Sequence, residues 1–338
     1  MQKTITISFM KEKITGRGED STPLSLTTDN RIYTGVFDGM GGSGASLYKD
    51  NEGVERTGAY IASRIVKKKV EDILISNSNL SIDSIINLLK KEISETLETE
   101  NKKYQNKEKS ALRSSLLRTF PTTLAVCSCE KFNESYKIDS IWAGDSRNYL
   151  LTDKGLFQLS IDDLNPQQDP YENLRNDAPL SNCICVDRKY ILNHNTIETN
   201  TSCCIISATD GCFGYSLSPM HFEQLLLNSL KQSKSVIEWE NELIKRIGEI
   251  SGDDFSFSAF IIGYLDFKDF KDKLNQRYNI LRNQLKKIEN CQCEIKRFKK
   301  EIEEKETKLN RKKEQLEQEL QKEWVKYKED YLSKVSLS

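Results

Sequence analysis

The order of its segments predicts that this chain folds as an α+β domain followed by one long helix. Strand-like runs come first, then two helical segments, then further strands and a second pair of helices, an order that differs from a βαβ repeat. The second observation is a change in composition, because neither Gly nor Pro occurs after Gly263 in the 338 residues. We therefore expect a globular domain at 1–264 and a helical tail at 265–338.

The individual elements follow from hydrophobic spacing and turn residues. Short apolar runs predict strands at 5–10, 30–39, 122–129, 136–144, 147–160, 201–211 and 257–265. The run at 147–160 contains the turn DKG, which is typical of a hairpin. Helical spacing predicts helices at 54–74, 82–104, 218–231 and 236–250. The polar, Pro-containing stretch 161–182 is expected to form a long surface loop.

The tail has apolar residues at every seventh position. They are Leu274, Leu281, Ile288, Ile295, Ile302, Leu309 and Leu316. The column between them begins with apolar residues, turns polar in the middle and becomes apolar again at Leu320 and Tyr327. This pattern predicts a long helix in a weak coiled coil. Its partner is left open by the sequence: a second copy (a homodimer), a different protein or the globular domain itself.

Composition excludes several classes of function. The net charge of −1 gives no reason to expect nucleic acid or an anionic membrane as partner, and no apolar run of membrane-spanning length occurs. We therefore expect a cytoplasmic protein.

Nine cysteines without a secretory signal argue against a disulfide framework, and we expect the cysteines to be core residues. Two histidines are too few for a histidine-based hydrolase or zinc enzyme.

Acidic residues recur beside strand ends and glycine turns, where carboxylates from different segments can point at one place. They are Glu19, Asp20, Asp38, Asp145, Asp210, Asp253 and Asp254. Each Asp-Gly alone indicates only a turn. Their recurrence at several strand ends favours a site for hard divalent cations, which prefer carboxylate, carbonyl and water oxygens.

Five motifs in order resemble the type 2C (PPM) family of metal-dependent serine/threonine protein phosphatases, in its bacterial form, over about residues 5–264. VFDGMGG resembles the family's VxDGMGG, and PTTLAV resembles its GTTL strand. WAGDSRNYLLTDKGLFQLSIDD is similar to its GDSR hairpin, ISATDG to LxSDG, and GDDFSFSAFIIG to DN-x-T/S with an apolar strand. The resemblance implies two central, mostly antiparallel β-sheets packed as a sandwich between helices.

The resemblance also implies a mechanism and roles for individual residues. Two Mn²⁺ or Mg²⁺ ions would bind, with a third at a weaker site, and a hydroxide bridging the two metals would attack phosphoserine or phosphothreonine in a protein substrate. Asp38 matches the ligand that bridges both ions, and Asp210 and Asp253 match the other ligands of the first. The remaining matches are Gly39 as a carbonyl ligand, Glu19 and Asp20 for the second ion and Asp145 for the third.

Two departures from the family pattern affect the substrate site. Thr15 stands where the family has a phosphate-binding arginine, and either Arg17 or Lys13 is positioned to replace it; we expect Arg17. Met40 stands where many eukaryotic relatives have a histidine proposed as general acid, although bacterial relatives often have Met. The alternative function is a pseudophosphatase, a regulatory binding module that acts through the fold and the coiled-coil tail.

Overall fold

A computed structural model describes residues 4–49, 53–104, 117–132, 135–166, 169–175 and 178–333. Parts of the predicted surface loop and the last five residues of the predicted tail lie outside these ranges. The strands are β1 (Ile5–Lys11), β2 (Leu24–Thr27), β3 (Arg31–Val36), β4 (Leu47–Lys49), β5 (Glu55–Thr57), β6 (Leu124–Phe132), β7 (Ser135–Ala143), β8 (Arg147–Thr152), β9 (Gly155–Gln158), β10 (Asn193–Thr199), β11 (Cys203–Ala208) and β12 (Phe255–Ile262). The helices are α1 (Gly58–Ser76), α2 (Ile82–Tyr104), α3 (Pro170–Asn173), α4 (Asp210–Phe213), α5 (Pro219–Gln232), α6 (Val236–Ile250) and α7 (Phe267–Ser333).

Two five-stranded antiparallel sheets form the centre of the molecule. The first has the order β1-β12-β11-β8-β9, and the second has the order β10-β7-β6-β3-β2. The predicted hairpin is confirmed, because β8 pairs with β9 and Thr152 lies opposite Gly155. The predicted α+β class with mostly antiparallel sheets is therefore confirmed.

The two sheets pack face to face through a core of aliphatic, aromatic and cysteine side chains. Cys129 and Ile138 of the second sheet join Leu150, Cys203 and Phe260 of the first in one buried cluster. Every residue of β12 is buried, as expected for a strand in the middle of a sheet that is covered on both faces. The sheets therefore form a sandwich.

Helices cover the outer faces of the sandwich. Helices α1 and α2 bury apolar stripes that include Val66, Val70, Leu89 and Ile93 in one cluster with residues of the second sheet. Their spacing of three to four residues matches one face of a helix, which explains why these segments become helices. Helix α6 contacts β1 at the edge of the first sheet and packs against α5. The molecule therefore has four layers, two sheets between two layers of helices, and the ends of the strands are not covered by these helices.

The chain divides into two compact units, residues 1–281 and 282–338. Helix α7 begins at Phe267, three residues after the predicted domain boundary, and its first turns belong to the first unit. In the second unit the apolar row is exposed, with Ile288, Ile295 and Ile302 at 40%, 53% and 54% of their full accessible surface. No helix among the described residues is long and apolar enough to cross a membrane.

Candidate metal centre

Asp38 follows strand β3 and is held by its backbone. Its carbonyl oxygen accepts hydrogen bonds from the Thr122 hydroxyl at 2.6 Å and from the Thr123 amide at 2.8 Å. Its own amide donates to the Thr123 hydroxyl at 3.2 Å. The second and third residues of the PTTLAV motif therefore fix the Asp38 main chain, which leaves the carboxylate to interact with other groups.

Asp20 lies in the interior beside the end of strand β11. Only 2% of its surface is exposed. Its Oδ2 accepts a hydrogen bond from the Thr209 hydroxyl at 3.0 Å, and that hydroxyl accepts one from the Ser256 amide at 2.9 Å. Thr209 thus connects three chain segments that are far apart in sequence, and it aligns Asp20 with the ends of β11 and β12.

Asp254 holds the loop that contains the acidic pair. Its two carboxylate oxygens accept hydrogen bonds from the amides of Lys13 and Glu19, each at 2.7 Å. The Glu19 side chain in turn accepts a hydrogen bond from the Thr57 hydroxyl. Gly39 approaches this loop so closely that a Cβ at that position would lie 2.5 Å from the Glu19 carbonyl oxygen. Glycine is therefore required at this position of the VFDGMGG motif.

Asp210 follows strand β11 of the first sheet, and Asp145 lies between β7 of the second sheet and β8 of the first. Asp210 is the first residue of the one-turn helix α4, directly after β11 and Thr209. Asp145 follows Gly144, whose φ of +103° lies in the region that favours glycine. The carboxylates reach a common region because the strand ends that precede them lie at one edge of the sandwich.

The acidic side chains interact directly with one another. The Asp38 carboxyl lies close enough to those of Asp20 and Asp210 for these groups to shift one another's pKa. Burial raises the pKa of Asp20 to about 7 and that of Asp145 to about 8, and the like charge of Asp210 adds to both effects. The pKa of Asp38 is also raised, by burial and by the neighbouring Asp20. Although Asp38, Asp145 and Asp210 keep some surface in solvent, their carboxyl groups lie mainly among protein atoms.

The residues present fit the divalent cations that the resemblance implies. All the donors are oxygens, and their mutual repulsion is the kind that a bound dication compensates. Within the described ranges, no three acidic, histidine or cysteine side chains already have the spacing of a metal cage. A cation bound among these side chains would have Asp20, Asp38 and Asp210 within reach.

Asp253 and Arg17 lie further out than the sequence suggests. Asp253 is exposed, and its Oδ1 accepts the Asp254 amide at 2.9 Å. It is near enough to add negative potential at Asp210 and Glu19. Arg17 is exposed on the loop before Glu19, and its amide donates to the Ile14 carbonyl at 2.9 Å. Both residues border the acidic cluster, and neither lies inside it.

Two arginines that no sequence motif indicated, Arg56 and Arg64, lie beside the loop of Glu19 and Asp20. Arg64 donates from its guanidinium to the carbonyl oxygens of Gly18 and Glu19, both at 3.2 Å. Arg56 donates to the Gly16 carbonyl, and the ring of Tyr60 lies between the two guanidiniums. The spacing of four residues from Tyr60 to Arg64 was a usable signal, because it places these two residues on one face of α1.

Comparison with solved structures identifies the fold. The serine/threonine phosphatase PstP/Ppp of Mycobacterium tuberculosis matches with a TM-score of 0.55 and 13% identity, over 77% of this chain and 99% of that chain. The phosphatase Stp1 of Staphylococcus aureus matches with a TM-score of 0.56 and 15% identity, over 78% and 96%. No family model matches the sequence, and no curated protein matches it. The chain therefore has the fold of the bacterial serine/threonine phosphatases, as the motif resemblance predicted.

Proposed function

We propose that this chain is a cytoplasmic, metal-dependent phosphatase that hydrolyses phosphoserine and phosphothreonine in proteins. The observation that supports it most directly is the group of acidic side chains at one edge of the sandwich, where Asp20, Asp38 and Asp210 lie close enough to shift one another's pKa. The fold adds support, because solved structures with this architecture include serine/threonine phosphatases.

We assign the roles of the residues from their match to the motifs of the family that the sequence resembles. Asp38, Asp210 and Asp253 would hold one ion, and Glu19, Asp20 and the Gly39 carbonyl would complete the second position. Asp145 would serve a third, weaker ion. Bound Mn²⁺ or Mg²⁺ would supply an activated water nucleophile and neutralise charge on the phosphoryl group.

The chain's own residues orient these ligands before any substrate binds. Thr122 and Thr123 fix the Asp38 backbone, Thr209 fixes Asp20, and Asp254 fixes the loop of Glu19. Such outer contacts typically determine metal affinity nearly as strongly as the ligands do. Arg17 is proposed to bind the substrate phosphate, since it is exposed on that loop two residues before Glu19, and Lys13, exposed on the same loop, is the other candidate.

Turnover measurements test the proposal. We expect p-nitrophenyl phosphate and a phosphothreonine peptide to be hydrolysed with Mn²⁺ or Mg²⁺, and hydrolysis to stop with EDTA. Asp38→Asn should abolish turnover, whereas Asp83→Asn should not, because Asp83 is a solvent-exposed aspartate on α2. If the folded protein hydrolyses neither substrate with either metal, the pseudophosphatase replaces this proposal.

We also propose that the exposed row of α7 in residues 282–333 binds a second copy of the chain in antiparallel orientation. In a parallel pair in register, the column beside the row would set Lys299 against Lys299 and Glu306 against Glu306, and such like-charge contacts destabilise a coiled coil. An antiparallel pair removes these self-contacts.

The molar mass in solution tests this pairing. Analytical ultracentrifugation should give a dimer that Ile295→Glu with Ile302→Glu dissociates. Glu304→Lys, an exposed residue on the opposite helix face, should leave the dimer intact. A monomer at all concentrations would instead indicate that the row binds a different protein.

A further inference from the structure

Asp163 lies in the segment after strand β9, outside the acidic cluster. Its side chain is half-buried, and its carboxylate accepts hydrogen bonds from several amides. Oδ2 accepts the side-chain amide of Asn182 at 2.7 Å, and the side-chain amide of Asn193 lies 3.1 Å from each of Oδ1 and Oδ2. Oδ2 also accepts the main-chain amide of Gly144 at 3.0 Å. The donors come from three positions along the chain, so the carboxylate joins segments that are not neighbours in sequence.

Asp163 and Gly144 exchange two hydrogen bonds. The Asp163 amide donates to the Gly144 carbonyl at 3.0 Å, in addition to the bond that the Asp163 carboxylate accepts from the Gly144 amide. Both polar main-chain groups of Gly144 are therefore bound by one residue. Gly144 directly precedes Asp145 and has a φ of +103°. The direction in which the chain enters Asp145 thus depends on this contact.

Thr123 holds the same turn through a second set of contacts. A Cβ at position 144 would lie 2.7 Å from the Thr123 Cγ2 atom. The Ser146 hydroxyl lies 2.7 Å from the Thr123 hydroxyl. We refer to residues 144–146 as the Gly144 turn. It is held by two residues, Thr123 and Asp163, and Asp145 is its central residue.

The hydrogen bonds that hold Asp38 do not involve Asp163. They come from Thr122 and Thr123, which bind the Asp38 amide and carbonyl. Loss of the Asp163 carboxylate would therefore remove one support of the Gly144 turn and leave the supports of Asp38 in place. An effect of Asp163 is expected at Asp145 and not at Asp38.

Asn182 and Asn193 determine where the Asp163 carboxylate points. Asn193 is the first residue of β10, the edge strand of the second sheet, and lies opposite Trp142. Asn182 is itself fixed by Ile191, whose amide donates to its Oδ1 at 3.0 Å and whose carbonyl accepts its Nδ2 at 2.9 Å. Removal of the Asn193 side chain would therefore disturb the orientation of the carboxylate while the acceptor for Gly144 is kept.

We propose that Asp163 is a positioning residue which, through the main chain of Gly144, holds the carboxylate of Asp145 in place for the third, weaker ion. Asp163 acts through Gly144 and is not a ligand in this proposal. The hold on the turn is independent of the proposed phosphatase function, whereas the ion at Asp145 rests on that function.

Hydrogen exchange in the metal-free, full-length protein tests the hold on the turn. With EDTA present, NMR should show the Gly144 amide of Asp163→Ala exchanging about tenfold faster, because it loses a hydrogen bond to a charged acceptor. The amides of β12, a strand that is buried throughout, should keep their rates. Asn193→Ala keeps the acceptor and loses only a donor that orients it, so its Gly144 amide should accelerate by a smaller factor.

Titration calorimetry with Mn²⁺ tests the effect on Asp145. Asp163→Ala should weaken the weakest Mn²⁺ site about 10–100-fold, the usual result of losing an outer contact of a metal ligand, while the tighter sites keep their affinity. Turnover of p-nitrophenyl phosphate should then need more Mn²⁺ to reach half its maximum, but the maximum at saturating Mn²⁺ should be unchanged because every proposed ligand is still present. A residue that only stabilised the fold would change all the affinities together.

Asp153→Ala is the matched control, because it removes an exposed aspartate from the turn between β8 and β9, and it should change neither measurement. The proposal is overturned if the Gly144 amide of Asp163→Ala exchanges as slowly as in the unmodified protein. It is also overturned if the tighter Mn²⁺ sites lose as much affinity as the weakest, or if the unmodified protein binds two ions and no third.

Two further outcomes can be distinguished from these. If Asp163→Ala does not fold, Asn193→Ala decides the proposal in the same two measurements, since it leaves Asp163 in place. An unmodified protein that binds no Mn²⁺ at all would refute the proposed function, and the exchange of the Gly144 amide would still decide whether Asp163 holds the turn.

Discussion

Replacing Asp254 should loosen the loop that holds the acidic pair. In the structure its carboxylate accepts the amides of Lys13 and Glu19, each at 2.7 Å. A hydrogen bond to a charged acceptor contributes about 1.5–3 kcal/mol, so the two together would contribute about 3–6 kcal/mol if fully buried. Because Asp254 is only half-buried, solvent reduces this, and we expect Asp254→Ala to lower the free energy of unfolding by about 2–3 kcal/mol.

The same substitution should also lower the affinity for the metal ion. Glu19 would lose the amide contact that orients it, and losses of outer contacts of this kind typically cost about 10–100-fold in metal affinity. Asp254→Asn should lie between, because its one carbonyl oxygen accepts only one of the two amides. Urea unfolding gives the stability, and titration calorimetry with Mn²⁺ gives the affinity.

Two results would refute this reasoning about the loop. One is an unfolding free energy of Asp254→Ala that differs from that of the unmodified protein by less than about 0.5 kcal/mol, the range of ordinary surface substitutions. The other is an Asp254→Asn variant as impaired as Asp254→Ala, which would indicate that the charge matters and the loop does not. Asp72→Ala, which removes an exposed aspartate from α1, is the matched control.

Three further predictions concern the buried polar groups. Asp162→Asn should lower the unfolding free energy by about 3–5 kcal/mol in urea, because Arg147, 2% exposed, would lose its buried countercharge and one of its two short bonds to the carboxylate. With EDTA, the thermal midpoint should fall as pH rises from about 4 to 8. The pKa values of Asp20 and Asp145 are about 7 and 8 in the folded protein and 3.8 in the unfolded chain, so the stability that their protons give is complete below pH 3.8 and is lost as the pH passes through 7 and 8. Added Mn²⁺ should make the midpoint depend less on pH. Gly39→Ala should give folded protein that binds Mn²⁺ at least tenfold more weakly, since its Cβ would collide with the carbonyl oxygen of Glu19.

The sequence predicted the buried strands and the long helices well, because their hydrophobic spacing is strong. It missed the short and polar elements. Strand β10, with the sequence NHNTIET, is an edge strand that leaves most of its side chains in solvent, so it lacks an apolar pattern. Strands β4 and β5 have three residues each, too few for any period to be recognised.

The candidate site was predictable where a carboxylate directly follows a buried strand. Asp38 and Asp210 are such residues, and the structure brings them together with Asp20. The position of Asp253 was harder to foresee, because the turn that exposes it depends on two hydrogen bonds: the Asp253 amide donates to the Ser251 hydroxyl, and the Asp254 amide donates to the Asp253 carboxylate. The two hydrogen bonds that the Asp254 carboxylate accepts join residues more than 230 positions apart, and no local sequence pattern predicts such a contact.

The pairing of β1 with β12 has a consequence for how the acidic cluster comes into existence. The two strands are the first and last of the sandwich, and they pair from Ile5 opposite Ile261 to Lys11 opposite Phe255. Contacts between such distant residues form late, because closing a long loop costs entropy before any contact repays it. A nascent chain would therefore lack the assembled acidic cluster until strand β12 has left the ribosome. Synthesis that stops early would yield fragments without this cluster, and separately produced halves would be expected to regain it only on reassembly.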